Sequence, residues 1–331
     1  MSDTPATPID PPLVDLPIKT AKSGFYHGFS TIVTVPSKAI VTLLILWAVL
    51  FPKQASETLA LANSTIIRQF SGWYVYLVAF VMLIAFILAI IPKTGTLKLG
   101  NPDEEPEFSR FSWFAMLFGA GIGVGMLTYS TGEPLAHFSN NPDIIRGMIE
   151  PISAEAVRPA YIYTFFHWGF AAWASYALVG LAVGYVAYRR NLPLTIRSGL
   201  APLFGKSMSG VPGHIVDIVA VVATILGVAV TMSLGVEQFV AGLHRLGMGD
   251  WLLDREGTAS TAAIIIALTL LVGASTISAL SGVGRGIKWL SNLNMSLSFL
   301  LLAVFVGALG LELGTRALYS PPAPMLRKAT A

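Results

Sequence analysis

Three aromatic side chains lie close together in the middle of one long apolar stretch of the sequence. They are Trp168, Trp173 and Tyr176, and at 100° per residue they spread over about 140° of a helix. Tryptophan and tyrosine are typical of membrane–water interfaces, which is one interpretation of the cluster. Trp173, however, lies midway along the stretch, where an interfacial belt does not explain it. Electron-rich rings at that depth attract a quaternary ammonium ion through cation–π interactions, so these residues are candidate ligand contacts.

Glycine is concentrated in a second stretch, residues 115–134. Four glycines occupy alternate positions there, and each costs a helix interior about 1 kcal/mol relative to alanine; they are Gly119, Gly121, Gly123 and Gly125. Two interpretations are open. Glycines four residues apart let a neighbouring helix approach closely. Alternatively, the helix unwinds and turns bare backbone groups toward a cavity, as discontinuous transporter helices do.

The composition places both stretches in a membrane protein. The chain has 331 residues, of which 54% are hydrophobic and 12% charged, whereas soluble domains carry about 25% charged residues. The net charge of +3 therefore concerns loop orientation and anionic lipid, not nucleic acid. Cysteine is absent, which excludes disulfides, thiolate metal sites and cysteine nucleophiles. We expect no metal site and no organic cofactor.

Seven apolar segments are long enough to cross a bilayer, which takes about 20 helical residues. They lie near residues 31–51, 72–91, 111–130, 160–187, 213–243, 260–279 and 289–310. Each is too long and too uniformly apolar for a strand of a membrane barrel. The sequence therefore predicts an all-α integral membrane protein with seven transmembrane helices.

Lysine and arginine indicate the orientation of these helices. They are more frequent in the N-terminal tail and in the loops after the second, fourth and sixth segments than in the other loops. The positive-inside rule then places the N-terminus in the cytoplasm. Residues 1–30 are polar, begin with several prolines and lack the features of a signal peptide, so we expect a retained, largely disordered cytoplasmic tail.

Three further polar residues have two interpretations each. His167, beside the aromatic cluster, either satisfies a packing hydrogen bond or relays a proton. Thr224 either offers an oxygen to a cation or bonds its own backbone. Glu237 is either a functional carboxylate or, more simply, solvated near the outer interface. The histidines form no His-x-x-x-His pair and no nucleophile–base set stands out, so an enzyme is disfavoured.

Several ordered motifs resemble one family of membrane proteins, the betaine/choline/carnitine transporters. The resemblance covers about residues 25–310. It is carried by Pro106–Phe118, Gly-x-Gly-x-Gly at 121–125, Gly132-Glu-Pro134, Phe166-His-Trp168 with Trp173 and Tyr176, and the stretch Ser281–Met295. It implies a secondary transporter with a LeuT-like architecture of two inverted five-helix repeats. Helices 1 and 2 would be accessory, and helices 3–7, residues 111–310, would form the first repeat.

The resemblance also implies roles for individual residues. By position, the substrate contacts would be Gly121, Ile122, Gly123, Gly125, Trp168, Trp173 and Tyr176. The coupling ion, Na⁺ or H⁺, has the candidate positions Gly119, Ile122 and Thr224. One sodium site of the family uses backbone oxygens of helix 3, which match Gly119 and Ile122, together with hydroxyls from helix 8. A second site uses two threonines four residues apart on helix 5. Here the first of them matches Thr224, and the second is Val228, which has no side-chain oxygen. This departure weakens sodium coupling there and leaves proton coupling or exchange open.

The whole resemblance leads to two functional hypotheses. The first is an ion-coupled importer of a compatible solute such as glycine betaine, choline or carnitine, in a bacterial-type inner membrane and in contact with lipid. Trimers are known in the family, which implies a homo-oligomer. The family's second repeat does not follow helix 7, and the tail 311–331 does not resemble it, so we expect a truncated chain. The alternative is a non-transporting or channel-like membrane scaffold, in which the glycines only pack.

Overall fold

The computed structural model describes residues 14–101, 103–121 and 123–319, and the regular structure in this part of the chain is helical. Nine helices are labelled here in chain order. They are α1 (Thr31–Leu50), α2 (Pro52–Ile90), α3 (Arg110–Gly121), α4 (Val124–Ser139), α5 (Ala154–Arg189), α6 (Ile196–Phe204), α7 (Val211–Arg245), α8 (Thr261–Leu280) and α9 (Lys288–Tyr319). Short single turns connect them, such as Pro142–Ile145 and Asp250–Leu252.

Six helical stretches of the described chain are long and apolar enough to cross a membrane. They are Thr31–Leu50, Pro52–Ile90, Ala154–Arg189, Val211–Arg245, Thr261–Leu280 and Val283–Glu312. Large apolar side chains cover their surfaces, which suits hydrocarbon and not water. The prediction of an all-helical, multi-pass membrane protein is confirmed. The predicted third span, 111–130, is not one helix, because it is divided between α3 and α4.

Two helices are longer than hydropathy predicts. α2 begins at Pro52, where the proline ring suits the first helical turn, and not near residue 72. α9 continues to Tyr319, into the segment that the sequence analysis assigned to a tail from residue 311. Hydropathy marks the part of a helix that suits the bilayer, and polar turns extend the same helix beyond it.

Contacts divide the chain into two compact units. The first consists of Met1–Glu105 and Thr128–Met232, the second of Pro106–Leu127 and Ser233–Ala331. In the first unit, α2 packs against α1 and against the C-terminal half of α5. One core cluster joins the end of α5 to α6 and includes Leu16, Val186, Leu192, Ala201 and Met208.

The N-terminal segment takes part in this core. Leu16 is only 4% exposed, and the hydroxyl of Ser209 donates a hydrogen bond of 3.0 Å to the backbone oxygen of Asp15. Residues 14–30 are therefore folded, in contrast to the disorder expected of a polar tail. Residues 1–13 lie outside the described part of the chain.

In the second unit, α3 lies along α9. Ala115 and Met295 are buried in this contact, and the amide of Asn292 donates a hydrogen bond of 3.2 Å to the Ser112 hydroxyl. The C-terminal part of α7 packs against α8 through a second cluster that includes Val236, Val240, Leu252, Ala263 and Ala267.

Candidate functional site

The glycine-rich stretch is the point at which a helix is interrupted. α3 ends at Gly121, Gly123 belongs to no helix, and α4 begins at Val124, so that Gly125 lies in its first turn. Ile122, a predicted contact of both substrate and ion, lies outside the described residues. Where a helix is interrupted inside an apolar stretch, backbone N–H and C=O groups lose their intrahelical hydrogen-bond partners. Discontinuous transporter helices bind solutes and ions through such groups.

Gly119 lies one turn before the interruption and has a packing role. A Cβ atom at this position would be 3.5 Å from the Ser291 hydroxyl oxygen on α9 and 4.0 Å from the Asn294 amide nitrogen. The two interpretations of the glycines therefore apply to different residues. Gly119 permits a close helix contact, and the interruption comes after Gly121.

The aromatic cluster begins in a local irregularity of α5. Residues His167–Ala171 form a π-helical turn, and Gly169 leaves the helical backbone range with φ −85° and ψ −142°. Such turns widen a helix by one residue per turn and are frequent at functional sites. This turn carries both Trp168 and the neighbouring His167.

Trp168 is held from two sides by residues of α4. Its indole Nε1–H donates a hydrogen bond to the Glu133 carboxylate. Its ring stacks on Tyr129, with 6.0 Å between the ring centroids and 25° between the planes. Tyr129 and Glu133 are four residues apart and therefore lie on one face of α4.

Glu133 is the centre of this arrangement. Its side chain is only 12% exposed, and Oε1 lies 2.6 Å from His167 Nδ1 and 3.4 Å from His137 Nε2. His137 is one further turn along the same face of α4, and its ring contacts Tyr163 at 5.8 Å between centroids. His167 therefore makes a hydrogen bond, as its packing interpretation expects, and its partner is a carboxylate.

The other two predicted aromatic residues form a pair of their own. Trp173 and Tyr176 have ring centroids 5.5 Å apart, and the Trp173 indole donates a hydrogen bond of 2.9 Å to the backbone oxygen of Trp168. Trp173 also lines an apolar cavity of about 220 Å³ between α2 and α5, together with Phe86 and Phe170. Ring contacts thus join Trp173 to Tyr176, whereas Trp168 contacts the rings of Tyr129 and His167.

Thr224 bonds its own helix. Its hydroxyl donates to the Ala220 backbone oxygen at 2.8 Å, a common arrangement for threonine in membrane helices. The oxygen keeps lone pairs for a cation, and Thr224 lines a cavity of about 390 Å³ together with Thr34 and Asp217. Val228, one turn further along α7, adds only apolar surface.

Sequence reasoning missed Glu133 and Tyr129 as members of the site. Glu133 belongs to the Gly132-Glu-Pro134 motif and Tyr129 to the glycine-rich stretch, but neither residue is among the predicted contacts. A signal for both was available, since Tyr129, Glu133 and His137 occur at i, i+4 and i+8 and must share a helix face.

A family comparison decides what kind of protein carries this site. The sequence model described as BCCT, betaine/carnitine/choline family transporter, matches residues 32–316. The chain belongs to this family. The resemblance found in the motifs is therefore confirmed, and because the family consists of transporters, so is the expectation that the chain is not an enzyme.

Curated relatives of this BCCT chain carry names of two substrates. It is 40% identical over 279 residues to the high-affinity choline transport protein of Escherichia coli K12, covering 83% of this chain and 39% of that protein. It is 40% identical over 266 residues to the glycine betaine transporter OpuD of Bacillus subtilis 168, covering 80% of this chain and 49% of OpuD. It is 38% identical over 282 residues to an uncharacterized transporter of Mycobacterium tuberculosis H37Rv, covering 84% of this chain and 45% of that protein. The BCCT chain spans less than half the length of each of these relatives.

Proposed function

We propose that this BCCT chain belongs to a secondary transporter that imports a quaternary-ammonium solute of the betaine, choline or carnitine type. The observation that carries the proposal is the fixed indole of Trp168. Its hydrogen bond to Glu133 and its stack on Tyr129 hold an electron-rich ring in one orientation, on a helix next in sequence to the interrupted α3–α4 stretch. A rigid aromatic face is what a trimethylammonium group binds, because the ion has no proton to donate in a hydrogen bond.

The predicted substrate contacts offer two kinds of group to a quaternary-ammonium solute. Trp168, Trp173 and Tyr176 supply aromatic faces, and the backbone around Gly121, Gly123 and Gly125 supplies dipoles where the helix is interrupted. The names of the choline and glycine betaine relatives support this class of substrate.

Ion coupling is a further part of the proposal. The backbone oxygens of Gly119 and Ile122 are the proposed ligands at one coupling-ion site, and the Thr224 hydroxyl is the proposed ligand at a second, separate site. Because Val228 provides no oxygen where the family pattern has a second threonine, we propose that the site at Thr224 binds Na⁺ weakly and that H⁺ coupling or exchange remains an alternative.

The proposal includes an architecture and a location. Residues 111–310 would be the first of two inverted repeats in a LeuT-like transporter, with the N-terminus in the cytoplasm and the protein in a bacterial inner membrane. A homotrimer is the proposed assembly. These statements rest on membership of the family and on the distribution of lysine and arginine.

Ligand binding by the purified chain tests the substrate class. Tritiated choline, glycine betaine and carnitine would be titrated onto the 331-residue protein in nanodiscs, with and without Na⁺. We expect saturable binding that weakens about tenfold or more in Trp168→Ala, since a desolvated cation–π contact contributes about 2 kcal/mol. Trp73→Ala, which removes an exposed tryptophan of α2, is the control and should bind as the unmodified protein does. Absence of saturable binding for all three solutes would contradict the proposal.

A further inference from the structure

The Glu133 carboxylate lies in the aromatic site, although it is not among the predicted substrate contacts. One oxygen accepts the indole N–H of Trp168, and the other lies 2.6 Å from His167 Nδ1. The Glu133 side chain is 12% exposed and that of His167 is 64% exposed, so the protein shields most of the carboxylate, while its histidine partner stays accessible. Glu133 therefore holds a negative charge at the edge of the ring that the proposed substrate approaches.

A hydrogen bond to an anion changes the ring that donates it. Charge-assisted hydrogen bonds are about twice as strong as neutral ones, and they polarise the donor strongly. When an indole N–H donates to a carboxylate, electron density shifts from the N–H group into the π-system. The electrostatic potential over the ring face becomes more negative, and this potential attracts a cation.

Stacking by Tyr129 determines which face of the Trp168 indole is left to attract a cation. One face of the Trp168 indole is covered by the Tyr129 ring, and the N–H edge is occupied by Glu133. The face opposite Tyr129 is the proposed approach for a trimethylammonium group. The His167 ring also contacts the indole, with 5.2 Å between the centroids and 46° between the planes.

We propose that Glu133 is a positioning residue for substrate recognition, which orients the Trp168 indole and raises its electron density toward a quaternary ammonium ion. This inference rests on the proposed function and adds to it a residue outside the predicted ligand set. His167 and His137 help to hold the carboxylate in place. Glu133 itself acts through the ring of Trp168.

Two ligands of the same shape and different charge give the sharpest test. Choline would be compared with its neutral carbon isostere, in which a tert-butyl group replaces the trimethylammonium group. In the full chain, Glu133→Gln keeps an amide oxygen for the indole N–H but removes the charge. We expect choline affinity to fall about tenfold while affinity for the isostere stays unchanged. Glu57→Gln, an exposed carboxylate of α2, is the matched control and should alter neither affinity.

A double-mutant cycle shows whether the effect passes through the indole. Trp168→Phe keeps an aromatic ring and removes the N–H donor. In that background Glu133→Gln should cause little further loss of choline affinity, because the group that the carboxylate holds is gone. Additive losses, or equal losses for choline and its isostere in Glu133→Gln, would indicate a general structural role and overturn the inference.

An NMR measurement separates this inference from the proposed function. In protein labelled with ¹⁵N-tryptophan, the Trp168 indole proton is assigned by its loss in Trp168→Phe. We expect a strongly downfield signal that moves upfield in Glu133→Gln, with no ligand present. If the signal does not move, the positioning role is wrong whatever the protein binds. If it moves but choline does not bind the unmodified chain, the proposed function and with it the recognition role fail, while the Glu133–Trp168 bond stands.

Discussion

Arg197 and Asp217 form a buried ion pair that joins α6 to α7. The Arg197 Nε atom lies 2.5 Å from Oδ2 of Asp217, and the two side chains are 1% and 9% exposed. The backbone N–H of Arg197 donates to the other carboxylate oxygen at 3.1 Å. The same region holds the core cluster that includes Leu16 and Met208, so the pair and the cluster together fix the first unit near the start of α7.

Removing one partner of this pair is expected to destabilise the protein strongly. Asp217→Asn would leave the Arg197 charge buried without its counter-ion, at a cost of about 3–5 kcal/mol. Thermal unfolding in detergent, followed by size-exclusion chromatography, should show a clearly lowered midpoint. Asp103→Asn, in an exposed loop, is the control. If Asp217→Asn unfolds at the same temperature as this control, the ion pair has no structural role.

Gly119 should tolerate a methyl group but not a larger side chain. Its Cβ position is at ordinary contact distance from Ser291, so Gly119→Ala fits and gains up to about 1 kcal/mol of helix propensity. Gly119→Leu overpacks the α3–α9 contact and is expected to cost about 1–3 kcal/mol. The thermal midpoint measures both changes. Gly307→Leu, placed on α9 where nothing lies within 4 Å of the added Cβ, should be nearly neutral; equal effects at the two positions would refute the packing role of Gly119.

Restoring the hydroxyl that α7 lacks should strengthen sodium dependence. Val228→Thr would place a second oxygen one helical turn from Thr224 and on the same face. We expect the affinity for choline or glycine betaine to rise with Na⁺ concentration more steeply than in the unmodified chain. Val230→Thr adds a hydroxyl on a different face of α7 and serves as control. Identical sodium responses in the two variants would remove Thr224 from the coupling proposal.

The orientation of the chain can be tested directly because the protein contains no cysteine. Ser23→Cys and Glu256→Cys place single thiols in the N-terminal segment and in the loop between α7 and α8. With the N-terminus in the cytoplasm, a membrane-impermeant maleimide added to intact cells should label the thiol at 256 and reach the thiol at 23 only after lysis. The reverse pattern would invert the predicted topology.

Local sequence properties determined the class of this protein and the position of most of its helices. Apolar length alone marks spans such as α1 and α8, because a bilayer requires about 20 apolar residues whatever their neighbours are. The same local information placed rings at Trp168, Trp173 and Tyr176 and glycines at 119–125, and it identified the family. It left open whether the glycines pack or interrupt the helix.

Tertiary structure decided which of these residues meet. Glu133 and Trp168 are 35 residues apart, and their hydrogen bond depends on how α4 packs against α5 and on the π-helical turn that carries Trp168. The folding of the N-terminal segment likewise depends on the pocket that α5 and α6 form around Leu16. Hydropathy and spacing act over one or two helical turns, whereas a side chain's partner is set by helix packing across the fold. The membrane helices, and the helix face that Tyr129, Glu133 and His137 share, could therefore be predicted from the sequence. That the Glu133 carboxylate meets the Trp168 indole could not.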